Sequence, residues 1–154
     1  MAHLRRSKRS LLMFAPALAG ALSVTALAGC SFVEKQTADL YSITYRITLD
    51  GKQINKLTAL SYGEALSRGE DTSTLDKGDA ATTNDPKNTR RATWENTAIV
   101  TATKKAWVTA TPPAGTTATC TILIDGKKEI ASNTGKPGEQ VHCEATTPAF
   151  PEKK

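Results

Sequence analysis

The chain is 154 residues long, which fits one domain better than several. Its 20 Lys and Arg against 15 Asp and Glu give a formal charge of +5, but Arg5, Arg6, Lys8 and Arg9 all fall within the first ten residues. The rest carries 16 bases interspersed with 15 acids, a net of +1 without a basic stripe, and this excludes nucleic acid as a partner.

Those four bases, with no acid among them, precede an apolar run over residues 11–26, the layout of an export signal. Ser7-Lys8 lacks the apolar continuation of a twin-arginine signal, so Arg5-Arg6 reads as ordinary leader charge. The run ends in Leu27-Ala28-Gly29-Cys30, which resembles the lipobox of bacterial lipoproteins. That resemblance implies cleavage between Gly29 and Cys30, diacylation of the Cys30 sulfur, and a mature protein held by membrane lipid on the extracytoplasmic face of the cell membrane. The competing reading is a transmembrane helix over residues 11–29, just long enough to span a bilayer. Pro16, Gly20 and the many alanines weaken it.

The domain plan that follows is a signal peptide (1–29), a tether from Cys30 (30–40), a β domain (41–146) and a frayed tail (147–154) with two prolines. Residues 41–49 alternate strictly, with Tyr41, Ile43, Tyr45, Ile47 and Leu49 on one face, and predict a half-buried strand. Asp50-Gly51-Lys52 and a second run from Ile54 through Leu57 and Leu60 to Tyr62 suggest a hairpin. Residues 63–92 form a long polar loop, since Leu66 and Leu75 are its only large apolar side chains up to residue 91. Such a stretch buries too little surface to offset its ordering entropy, so a mobile loop is expected, with at most one helical turn over residues 62–68.

Ten threonines lie between Thr93 and Thr121, interleaved with Trp94, Ile99, Val100, Trp107 and Val108. That density of β-branched and aromatic residues suits a pleated, half-buried surface, and it argues against an O-glycosylated stalk. Strands are expected over 93–102 and 105–111, turning at Thr103-Lys104. Next come the run Cys120-Thr121-Ile122-Leu123-Ile124, the turn Asp125-Gly126, a turn-rich loop over 132–138 and a last strand through Val141-His142-Cys143. Asp-Gly between apolar runs is the strongest short hairpin signal, because a type I′ turn needs positive φ at both central residues. Altogether these elements predict an all-β fold, a small immunoglobulin-like β-sandwich of about seven strands.

With Cys30 assigned to lipid, Cys120 and Cys143 remain as a pair, each on the apolar face of its strand, and an exported protein permits a disulfide between them. Two unbonded core thiols are the alternative. His142, the one histidine after the leader, points away from Cys143, because consecutive strand residues face opposite sides. No hydrolase, metalloprotease, Walker or C-x-x-C motif occurs, and the acids Glu64, Glu70, Asp71, Asp76, Asp79 and Asp85 lack EF-hand spacing. The chain therefore reads as non-enzymatic, without a metal or other cofactor.

The block from Cys120 through Asp125-Gly126-Lys127 to Ser132 and Cys143 resembles the C-terminal region of the MmpS proteins of mycobacteria and relatives. Ile43-Thr44-Tyr45-Arg46-Ile47 is similar to that family's first strand, and Trp94 to the tryptophan entering its middle strands. The resemblance implies an extracytoplasmic β-sandwich that assists an RND transporter of the MmpL type in exporting lipids or siderophores. Two features depart from the family: a lipobox stands where its members keep an uncleaved transmembrane helix, and residues 63–91 look inserted. The rival reading is a lipoprotein that itself binds a small molecule or lipid, which requires an apolar cavity of several hundred Å³.

Overall fold

The computed structural model describes residues 38–150. Residues 1–37, where the expected signal peptide, Gly29, Cys30 and most of the expected tether fall, and residues 151–154 lie outside the described residues. Among the described residues the fold is all-β, with nine strands: β1 (Leu40–Asp50), β2 (Lys56–Glu64), β3 (Ser73–Ala81), β4 (Thr83–Asp85), β5 (Asn88–Thr101), β6 (Lys105–Thr111), β7 (Thr117–Ile124), β8 (Lys128–Thr134) and β9 (Val141–Thr146). They form two antiparallel sheets, one of five strands in the order β4-β5-β1-β7-β8 and one of four in the order β3-β2-β6-β9.

The alternation in β1 sends Ile43, Tyr45, Ile47 and Leu49 into the core, where they meet Leu57, Leu60 and Tyr62 of β2, Val108 of β6 and Val141 of β9. The orders β4-β5-β1 and β3-β2-β6-β9 match the D-E-B and C′-C-F-G arrangement of an immunoglobulin-like sandwich, and the β7-β8 hairpin fills the place of strand A.

Residues 63–92 are not the expected mobile loop. Apart from the crossing at Thr82 and a turn at residues 86–87, only the stretch between β2 and β3 remains irregular, and residues 62–64 complete β2 instead of starting a helical turn. From Ser73 the chain becomes an edge strand on β2, with Leu75 opposite Tyr62 and Ala80 opposite Leu57. It then crosses to the other sheet, where the Thr82 hydroxyl donates to the Ile54 carbonyl and the Thr82 amide to the Asn55 carbonyl at 3.2 Å. Side-chain polarity underestimated this segment because an edge strand is held largely by backbone pairing and needs only small contacts on one face.

The expected hairpin between β1 and β2 also does not form. The two strands belong to different sheets, so residues 51–55 are a corner with Ile54 buried in it. Gly51 is needed there for room, since a Cβ at that position would stand 2.6 Å from Thr116 Oγ1. Asp125-Gly126 does make the expected turn, with φ of 52° and 66°, but its return strand is β8. β9, which carries Cys143, lies in the opposite sheet.

The tail is tied down as far as Phe150. Thr147 is buried, its amide donates to the Lys104 carbonyl at 2.9 Å, and its carbonyl accepts from the Thr103 amide at 3.1 Å. The Phe150 ring stacks on Tyr41 with centroids 4.3 Å apart.

Candidate functional site

Cys120 of β7 and Cys143 of β9 are bonded, with an S–S distance of 2.01 Å and Cα atoms 5.9 Å apart. The link joins the two sheets through the core, where both residues are buried. His142 faces solvent, and its carbonyl accepts a hydrogen bond from Asn133 Nδ2 at 3.0 Å. Glu144, also exposed, sits 2.8 Å from Lys105 Nζ, and the hydrogen bond from that ammonium holds its carboxyl below the usual glutamate range.

The acids of residues 64–85 are dispersed, and three of them have partners of their own. Asp71 pairs with Lys104 at 2.9 Å, Asp76 Oδ1 accepts from the Gly78 amide at 2.8 Å, and Asp85 Oδ1 accepts from the Lys87 amide at 2.8 Å. Among the described residues, no three His, Cys, Asp or Glu side chains converge as a metal site.

The outer face of the five-stranded sheet is the feature that spacing along the chain did not reveal. Because Ile47, Ala92, Ala118 and Cys120 turn inward, their strand neighbours turn outward, and many of these are threonines. The registers pair Thr83 with Thr93, Thr93 with Thr48, Thr48 with Thr119, and Thr119 with Thr134. One row of threonines thus crosses all five strands, about 19 Å long at the usual interstrand spacing of about 4.8 Å. Thr119 and Thr134 touch through their hydroxyls at 2.8 Å.

The adjacent row runs Glu95, Arg46, Thr121 and Ser132, with Arg46 Nη2 2.7 Å from Glu95 Oε1. A cleft of about 430 Å³ opens beside β4, lined by Thr83, Asn84, Asp85, Thr93 and Glu95. Hydroxyls in line, flanked by an ion pair and carboxylates, can donate to and accept from an extended polar partner laid across the strands. The cleft lining is polar, unlike the apolar cavity that a lipid-binding lipoprotein needs.

The chain matches no family model, no curated protein and no solved structure.

Proposed function

We propose that this chain is a non-enzymatic accessory protein of the cell envelope, anchored by acylated Cys30 on the extracytoplasmic face of the membrane, and that it assists an RND transporter of the MmpL type in lipid or siderophore export. The observation that carries the reading is the Cys120–Cys143 bond between two β sheets, a link favoured in an oxidising compartment and expected of a small exported domain. The leader and lipobox agree with that compartment. The threonine-lined face offers the transporter's extracytoplasmic part a flat, polar docking surface.

Affinity purification of the acylated protein from its own membranes tests this, with a Thr48→Arg/Thr119→Arg variant in parallel. An RND transporter is expected to co-purify with the wild type and to be depleted at least tenfold from the variant. Equal recovery of general envelope proteins from both, without a transporter, would overturn the reading. A second reading, capture of a small polar solute, draws on the cleft between Thr83, Asp85 and Glu95. It predicts a bound solute in the purified protein and loss of that solute in Glu95→Ala.

A further inference from the structure

Among the described residues, three large apolar side chains stand exposed: Leu66 at 68%, Ile99 at 40% and Phe150 at 39%. Single exposed hydrophobics are ordinary, but these three gather at one end of the sandwich. The Ala65 amide donates to the Ile99 carbonyl at 2.8 Å, which sets Leu66 beside the end of β5. Phe150 stacks on Tyr41, the second residue of β1. The first residues of the described chain are fastened at the same end. The Ala38 carbonyl accepts from Arg68 Nη1 at 2.7 Å, and the Asp39 carbonyl from the Ala102 amide at 2.9 Å.

This is also the end from which the chain runs back to Cys30. Seven residues lie between Ala38 and Cys30, and the eight Cα–Cα steps that join them span at most about 28 Å when extended. We propose that this end of the domain rests on the membrane surface, with Leu66, Ile99 and Phe150 in contact with the boundary between headgroups and acyl chains. The proposal rests on the lipid-anchor reading. An anchored domain already has a high effective concentration at the bilayer, so a small apolar contact suffices to select one orientation.

Charge does not supply the contact. Lys104 and Lys105 are paired with Asp71 and Glu144. The other bases at this end, such as Lys127 and Lys128, share it with Asp39, Glu64 and Asp125. The seat is apolar, and it forms on zwitterionic lipid at high salt. With this end down, β1 rises from the bilayer. The threonine row then stands about 27 Å up the strand, Thr48 being eight residues beyond Leu40.

The test is methyl NMR of the full acylated protein in phosphatidylcholine nanodiscs, with and without nitroxide-headgroup lipid, after the acyl chains are verified by mass spectrometry. The Leu66 and Ile99 methyl signals are expected to broaden at least fivefold more than that of Ala114, which lies in the β6–β7 connection at the opposite end. In Leu66→Asp/Phe150→Asp the broadening of Ile99 should fall to the Ala114 level while the core β1 signals stay unchanged. Equal broadening of Leu66 and Ala114 in acylated wild type would overturn the seat and leave the anchor standing. Absence of acyl chains would remove the anchor and the seat together.

Discussion

Tyr45 carries two demands that meet at one oxygen atom. Its ring fills the centre of the core, 5.5 Å from Tyr62, and its hydroxyl donates to the Gly63 carbonyl at 2.7 Å. Burial raises its pKa above the ordinary tyrosine value, because the phenolate would lose its hydration. The neutral form is therefore the one that the fold prefers. Its contribution is intact below about pH 10, the unfolded value, and is lost as pH rises above that, since the unfolded chain ionises first. Tyr45→Phe should cost about 1–2 kcal/mol at pH 7 by stripping the buried carbonyl of its donor. In denaturant titrations from pH 8 to pH 11, the gap between wild type and variant should narrow at the alkaline end. A gap that stayed constant would contradict the role given to burial. Gly63 is constrained from its other side as well, because a Cβ there would lie 2.6 Å from Trp107 Nε1.

Two strand ends of similar sequence follow different courses. Ile47-Thr48-Leu49-Asp50-Gly51-Lys52 and Ile122-Leu123-Ile124-Asp125-Gly126-Lys127 share a pattern, yet the second closes a hairpin and the first turns a corner between sheets. Gly126 has positive φ and a Cβ there would meet only Thr44 Oγ1, at an ordinary contact distance of 3.7 Å, whereas Gly51 has no room for a side chain beneath Thr116. Asn tolerates the left-handed region, so Gly126→Asn should change stability by less than about 1 kcal/mol. Gly51→Asn should lose about 2–3 kcal/mol through overpacking at the corner. Urea midpoints of the two variants compare these directly, and similar losses would mean that both glycines serve the same purpose. Turn chemistry was readable in both hexapeptides. The partner strand was not, because that depends on which sheet the next apolar face joins. β3 escaped notice for a related reason: its composition reports burial, while its stability comes largely from pairing with β2.

At the level of the whole molecule, the disulfide joins two sheets that otherwise meet through side-chain packing. Cys120 and Cys143 are 23 residues apart in sequence, and a loop of that length stabilises by about 3 kcal/mol in the chain-entropy account. Cys120→Ala/Cys143→Ala should therefore lower Tm by about 10–15 °C in calorimetry, given the entropy of unfolding of a domain this size. Reduction of the wild-type protein should give a similar shift. A change of only a degree or two would show that the sheets hold together without the link.

The inward placement of Cys120 and Cys143 was legible from alternation, because inward and outward faces follow from local backbone geometry alone, and their pairing followed once Cys30 was set aside for lipid. So were β1, the Asp125-Gly126 turn and the all-β class. The threonine row was not: its five members come from five strands and align only through register. Leu66, Ile99 and Phe150 likewise lie far apart in sequence, and only the stacking of the sheets brings them to one end. Side-chain direction is decided residue by residue along the chain. Which strands become neighbours is decided by the free energy of closing two sheets over a shared core, and that is a property of the whole fold.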